Sequence, residues 1–424
     1  MSLVDRDKKH LWHPLTQHKL GTDAIAITKA KDCLLYDDQG NQYIDAIASW
    51  YTCMMGHCNE KITSQVTQQM QQLDHCVFAG FTHQPAIELS EALISILPEN
   101  QQKVFFSDNG STANEVAIKM ALQYHFNRGH KKTTIIALEN GFHGDTFGAM
   151  SASGLSVYNG PFEEFFIDVQ RIPVPNKNNI EQVKDKLIKL VSSNNIAAFI
   201  YEPLVQGANA MNMFEGHYLD QLLEICQNHS VVRIADEVMT GFGKTGSYFA
   251  SDSIQIKPDM LCLSKALTAG LVPMAITSCT QEIYNAFLDD KMEKAFLHAH
   301  TYTANPVACS AALAAINLLK TDEIQSNIQA IIKSHKDFDD EIKNHPKIER
   351  TRQLGVIYAI DLDIEISRYG KQRNQIFDFF MKQGVYLRPL GKTIYLVPPF
   401  VITQNELNKV YQSIRNFLNG FSEK

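Results

Sequence analysis

Two ionisable residues stand where short apolar runs end. Asp236 follows Val231-Val-Arg-Ile-Ala235, and Lys265 follows Met260-Leu-Cys-Leu-Ser264. Runs of this length and content predict buried β-strands. In an open α/β sheet the C-terminal strand ends form the edge where ligands bind. An amine and a carboxylate at that edge are the two protein groups that pyridoxal 5'-phosphate requires. The amine holds the cofactor aldehyde as a Schiff base. The carboxylate keeps the pyridine nitrogen protonated, so the ring can absorb a carbanion's electrons. Taken singly, Asp236 reads as a solvated strand end and Lys265 as a surface lysine. The pairing carries the chemistry.

A phosphate needs its own anchor. Val104-Phe-Phe106 reads as a strand, Ser107-Asp-Asn-Gly-Ser-Thr112 as a polar loop, and residues 113–124 as an amphipathic helix. A Gly-bearing turn running into a helix N-terminus presents free backbone N–H groups to an anion. Gly110 allows close backbone approach, and Ser111 and Thr112 carry donor hydroxyls. The bland alternative is a helix cap made by Ser or Thr. Gly241-Phe-Gly-Lys-Thr-Gly246 ends like a nucleotide-binding P-loop. However, Val238 occupies the position of that motif's first Gly, so triphosphate binding is rejected. After the run that ends at Leu138, Asn140-Gly-Phe-His-Gly-Asp145 offers Phe142 to stack on a flat ring; otherwise Phe142 is a core aromatic.

The elements that must position these residues alternate. Apolar runs at 104–106, 134–138, 197–201, 231–235, 260–263 and 274–277 are separated by helical stretches. That alternation predicts an α/β fold with a mostly parallel sheet. Residues 1–55 read as an irregular start followed by short strands, with a hairpin at 34–44. Helices are expected at 60–73, 85–96, 306–319 and 324–342. Beyond them, strands at 355–361, 385–387 and 393–397 and a helix at 374–383 read as a smaller α+β domain. The expected division is 1–55 as a segment serving the small domain and the site, 56–310 as the large domain, and 311–424 as the small domain.

At 424 residues, with 45% hydrophobic and 20% charged residues, the chain is long enough for two cores and reads as a soluble protein. A net charge of −7 with no basic run argues against nucleic acid. No apolar stretch reaches membrane-spanning length, and residues 1–10 lack a signal-peptide core, so the cytoplasm is expected. The eight cysteines are scattered, which favours reduced thiols. Cys53, His57, Cys58, His75 and Cys76 cluster in sequence, but their spacing fits no zinc pattern, and no metal is expected.

The chain resembles the fold-type I, class III (ω-type) pyridoxal phosphate aminotransferases from about residue 30 onward. The resemblance lies in Ser107-Asp-Asn-Gly-Ser-Thr-Ala-Asn-Glu115, Asn140-Gly-Phe-His-Gly144, Tyr201-Glu-Pro203, Ala235-Asp-Glu-Val-Met-Thr-Gly-Phe-Gly-Lys-Thr-Gly246, Leu263-Ser-Lys-Ala-Leu-Thr-Ala-Gly270 and His300-Thr-Tyr-Thr-Ala-Asn-Pro306. Leu11-Trp-His-Pro-Leu-Thr-Gln17, Ala48-Ser-Trp-Tyr51 and Leu387-Arg-Pro-Leu-Gly-Lys392 are similar to the branch of that family that serves biotin biosynthesis.

The resemblance implies a mostly parallel sheet of the seven-stranded type in the large domain, and a ping-pong transamination. Adenosylmethionine would give its amino group to 8-amino-7-oxononanoate, forming 7,8-diaminononanoate. It implies Lys265 as the Schiff-base lysine and Asp236 as the partner of the pyridine nitrogen. Gly110 and Ser111 would bind phosphate, Thr301 would reach the neighbouring subunit's cofactor phosphate, and Phe142 would stack on the ring, with Asp145 nearby. Arg388 would pair with the keto acid's carboxylate, and Trp50, Tyr51 and Tyr395 would line its aliphatic chain. Relatives are homodimers with shared sites. Leu15, Phe142 and Lys244 depart from the Tyr, Tyr and Arg usual in that branch, so a lysine donor or a broader ω-aminotransferase activity is the alternative. A catalytically idle binding protein is disfavoured by the intact Asp236 and Lys265.

Overall fold

The computed structural model describes residues 1–19, 21, 23–156, 158–366 and 370–420. A seven-stranded sheet lies at its centre. From edge to edge its strands are Gln101–Ser107, Ala275–Thr280, Met260–Leu263, Val232–Asp236, Ile196–Tyr201, Thr134–Leu138 and Val169–Ile172. The pairings are parallel except those of Ala275–Thr280, which runs against both its neighbours. The expected mostly parallel α/β sheet is therefore present, with one strand more than the sequence runs indicate. Val169–Ile172 escaped notice because it is an edge strand with polar residues inside it.

Both faces of the sheet are covered, which is why its strands read as unbroken apolar runs. Successive side chains of a strand point to opposite faces. Ile135 and Ala137 join Val116, Ala117 and Met120 of the helix Gly110–Asn127 in one core. Ile136 and Leu138 join the larger core on the other face. The helix Pro306–Leu319 starts with Pro at its first turn and with Asn305 accepting the Ala308 N–H, a good N-terminal cap. Its buried face packs on the helices Glu60–Gln72 and Gln84–Ile94 and on the turn Lys265–Thr268.

A four-stranded sheet joins distant parts of the chain. Ile27–Lys31, Leu34–Asp37 and Gln42–Asp45 form an antiparallel meander, and Val385–Tyr386 adds in parallel beside Gln42–Asp45. A second, antiparallel sheet contains Ile348–Leu354, Ile357–Leu362 and Thr393–Leu396. Ile348–Leu354 was not anticipated, because its Glu349, Arg350, Thr351 and Arg352 hide the strand pattern. The irregular start contains a helix, Leu3–His10, closed by a reciprocal Ser2–Asp5 cap. Among the described residues no helix is long and apolar enough to cross a membrane.

Candidate active site

Parallel pairing places Asp236 opposite Cys262, so Lys265 emerges just beyond the neighbouring strand at the same sheet edge. Both residues line a cavity of about 870 Å³. Asp236 is held from three sides. Its Oδ1 accepts the Val238 N–H at 3.0 Å, while Oδ2 accepts Asn114 Nδ2 at 2.8 Å and His143 Nδ1 at 2.7 Å. Asn114 also donates to the His143 carbonyl at 2.7 Å. A carboxylate tied this way keeps one fixed orientation, and Oδ1 retains accepting capacity for a cofactor N–H.

Lys265 sits at φ 36°, in the left-handed region that L residues occupy only under constraint. Burial pulls its ammonium below the ordinary lysine value, and the charges of Asp236 and Glu202 partly oppose the shift. Desolvation thus favours the neutral amine, which is the nucleophilic and basic form. The Nζ lies 6.0 Å from the centre of the Tyr51 ring.

The polar loop caps the helix Gly110–Asn127 and borders the cavity. Asn109 caps the helix by accepting the Thr112 N–H at 3.0 Å, and the Thr112 hydroxyl donates back to the Asn109 carbonyl at 2.8 Å. Thr112 is therefore consumed by the cap. Gly110 and Ser111 face the cavity. A Cβ on Gly110 would lie 2.6 Å from Val238 Cγ1, so only glycine lets the helix start come this close to the Asp236 segment. Ser111 Oγ is 2.7 Å from Thr146 Oγ1 and accepts the Thr146 N–H at 3.0 Å.

Phe142 and Asp145 are on the cavity wall. The Phe142 N–H donates to Glu202 Oε2 at 3.0 Å, and the Gly207 N–H donates to Glu202 Oε1 at 3.0 Å. Burial pushes the Glu202 carboxyl up to about 7; the His143 charge opposes this and Asp236 adds to it.

Trp50 and Tyr51 reach the cavity from an unusual turn. Ala48, Ser49, Trp50 and Tyr51 have φ of 47°, 45°, 70° and 70°, a left-handed turn without a glycine. Asp45, fully buried, holds it by accepting Ser49 Oγ at 2.7 Å and His57 Nε2 at 2.8 Å. Burial alone would lower the His57 imidazolium, but its contacts with Asp45 and Cys53 and their charges more than reverse this and raise it to about 10.

Of the rest of the sequence cluster around His57, Cys53 belongs to the turn, its N–H donating to the Ala48 carbonyl at 2.9 Å. Cys58 is exposed, and the His75 ring lies 5.3 Å from that of Tyr302. Among the described residues no three His, Cys, Asp or Glu groups are placed to hold a metal ion.

Arg388 lines the cavity with its guanidinium 4.8 Å from the Trp50 ring centre. Tyr395 does not line it. This residue is fully buried behind Tyr51, with ring centres 5.9 Å apart, so it supports the wall from outside. Thr301 is exposed on a loop outside this cavity. Leu15 is on the wall. Lys244 is fully buried off the wall, donating to the Gly241 carbonyl at 2.6 Å, and burial with the Lys265 charge pushes it down to about 7. No helix starts at Lys244 or Thr245, where a phosphate loop would run into one, so the Gly-Lys-Thr sequence forms no phosphate loop.

The sequence reading assigned no role to His143, Asn114, Glu202, Asp45 or His57. The segments Ser107–Glu115, Asn140–Gly144 and Tyr201–Pro203 contain three of them, Asn114, His143 and Glu202, and mark them through the family resemblance alone.

A doubly covered, mostly parallel sheet with a fixed carboxylate, a desolvated lysine and a helix start around one cavity defines a fold-type I pyridoxal phosphate enzyme. Residues 16–418 match the family model for aminotransferase class-III, and the chain belongs to that family. It is 40% identical over 419 residues to the adenosylmethionine-8-amino-7-oxononanoate aminotransferase of Synechococcus elongatus, covering 97% of this chain and 98% of that one. It is 35% identical to the Helicobacter pylori protein of the same name, covering 99% and 98%. The crystal structure of the protein of that name from Methanocaldococcus jannaschii superposes with a TM-score of 0.92 at 33% identity, covering 98% of each chain. The omega transaminase of Pseudomonas jessenii, solved in complex with PMP, superposes with a TM-score of 0.93 at 25% identity, covering 99% and 98%. The chain is a pyridoxal phosphate-dependent aminotransferase.

Proposed function

We propose that this enzyme transfers an amino group from adenosylmethionine to 8-amino-7-oxononanoate, yielding 7,8-diaminononanoate for biotin biosynthesis. One observation carries the reading: a single cavity joins the Asp236–Lys265 pair to Arg388 and Trp50. A long keto acid needs all of these, a reacting end, an aromatic wall for its methylenes and a guanidinium for its carboxylate. The names of the relatives support the same acceptor and donor.

Pyridoxal phosphate, when bound, supplies an electrophilic carbon for the amino group and a ring that withdraws electrons. The residues of the chain do the rest. Lys265 Nζ takes the proton from the donor's amine-bearing carbon, and in the second half-reaction it delivers a proton to the acceptor's former carbonyl carbon. Asp236 would hold the pyridine nitrogen in its protonated form, and His143 and Asn114 keep that carboxylate in place. Gly110 and Ser111 at the helix start would hold the phosphate, and Phe142 would stack on the ring. Asp145 lies on the same cavity wall as Phe142, within reach of a bound substrate.

The enzyme works as a homodimer, with Thr301 offered to the neighbouring subunit's phosphate. The exposed, mutually packed rings of Phe147, Phe162 and Phe165 support a covered surface. The division into 1–55, 56–310 and 311–424 is supported by the pairing of Ile44 with Val385, which ties the first segment to the last.

The test follows each half-reaction alone. Purified holoenzyme is mixed with adenosylmethionine or with lysine, and loss of the lysine-linked cofactor's visible absorbance is recorded. Adenosylmethionine is expected to discharge it. Discharge by lysine only would overturn the donor assignment. Failure of the aminated enzyme to regain the absorbance with 8-amino-7-oxononanoate would overturn the acceptor.

A further inference from the structure

Two guanidinium groups face the same cavity. One is Arg388. The other is Arg373, from the first turn of the helix Lys371–Lys382. Both are partly buried. Arg373 Nη1 donates to Asn374 Oδ1 at 3.0 Å, its Nε lies 3.5 Å from the Pro389 carbonyl oxygen, and its guanidinium is 5.8 Å from the Phe377 ring centre. Arg388 lies against Trp50. These partners are all neutral. Among the described residues neither arginine has a carboxylate within ion-pair distance. The phenols of Tyr51, Tyr386 and Tyr395 close by stay neutral, because burial raises each of them. Burial first, and the charge of Arg388 second, hold Arg373 below its ordinary value.

Like charges withdrawn from water without a counter-ion are unfavourable, and an arriving anion relieves both at once. Each guanidinium presents a rigid fork of donors suited to a carboxylate. The aromatic wall of Trp50 and Tyr51 adjoins them, so the anion belongs on the end of an apolar chain.

We infer that Arg373 is a second specificity-determining residue, closing with Arg388 on the terminal carboxylate of the acceptor, one carboxylate oxygen to each guanidinium. The identity of that acceptor rests on the proposed function; the presence of a two-arginine carboxylate site does not.

Nonanoate tests it, having the chain and the carboxylate but neither ketone nor amine. Wild-type and Arg373→Gln holoenzymes are titrated with nonanoate and with nonanamide by calorimetry. Loss of one charge-assisted contact is expected to raise the nonanoate Kd about tenfold to a hundredfold, with nonanamide bound equally by both. Arg373→Lys is expected to fall between them, because it keeps the charge and loses the fork. Unchanged nonanoate affinity in Arg373→Gln overturns the inference. So does an equal loss of both probes, which would mark Arg373 as merely structural. Wild type that binds nonanoate but does not transaminate 8-amino-7-oxononanoate would overturn the proposed acceptor and leave the carboxylate site standing.

Discussion

Removing His57 should loosen the aromatic pair Trp50 and Tyr51 on the cavity wall, although His57 does not itself line the cavity. Ala48, Ser49, Trp50 and Tyr51 all lie at positive φ. At about 1–2 kcal/mol for each L residue, the turn holds about 4–8 kcal/mol of strain that its surroundings must offset. The restraints are few. Asp45 accepts from Ser49 and His57, Thr52 Oγ1 donates to the Ser49 carbonyl at 2.9 Å, and the Cys53 N–H donates to the Ala48 carbonyl at 2.9 Å. Deleting one partner of a buried charge pair costs about 3–5 kcal/mol. The His57 side chain is 11% exposed, so water compensates slightly and the lower end, about 3 kcal/mol, is expected for His57→Ala. That is a large part of the strain, so the turn should relax and Trp50 should leave Arg388. Urea unfolding gives the stability, and steady-state kinetics should show a raised KM for the acceptor.

The pH dependence supplies a second reading of the same pair. His57 titrates near 10 when folded and near the ordinary 6.5 when unfolded. A raised folded value means that the pair's contribution is complete below about 6.5 and disappears as pH climbs toward about 10. The stability gap between wild type and His57→Ala should therefore close over that interval. A gap that stays constant with pH would refute the ionic pairing. Lost stability with an unchanged acceptor KM would refute the coupling of the pair to Trp50.

Gly144→Ala should weaken cofactor binding. The new Cβ would sit 2.2 Å from Ser111 Oγ at φ +131°, and overpacking of this kind costs about 1–3 kcal/mol, readable as a raised pyridoxal phosphate Kd by fluorescence titration. Asp236→Asn should lower kcat by about 10³-fold, because the amide cannot stabilise the protonated ring nitrogen; single-turnover rates with each substrate would show the loss in both halves. Glu202→Gln should flatten a pH slope. The Glu202 carboxyl is pushed up to about 7, so its favourable contribution is present below about 4.5 and is lost as pH rises through 7. Wild type should lose stability relative to the variant over that range in thermal unfolding.

Much of the fold was legible because its strands are buried on both sides. Runs such as 134–138 and 260–263 had no polar interruption to obscure them. Strands that no apolar run marks, such as Val169–Ile172 and Ile348–Leu354, carry polar and charged residues. The turn at 48–51 was invisible for a different reason. A left-handed conformation without glycine has no local signature and depends on contacts made in the fold, those of Asp45 with Ser49 and His57 among them.

From sequence alone came the chemical inventory: a carboxylate and an amine at the ends of apolar runs, a Gly-Ser helix start, and the motifs of a family. Each is local, or is a matter of matching types in order. Tertiary structure alone decided which side chains serve the pair and which only look as though they do. Asn114 and His143 meet Asp236 from remote parts of the chain. Thr112 turns back into its own helix cap, Tyr395 stands behind Tyr51, and Lys244 points into the core rather than at a ligand. Hydrogen-bond geometry and burial depend on distances between elements, and those distances are set only when the sheet and its helices close around a common core.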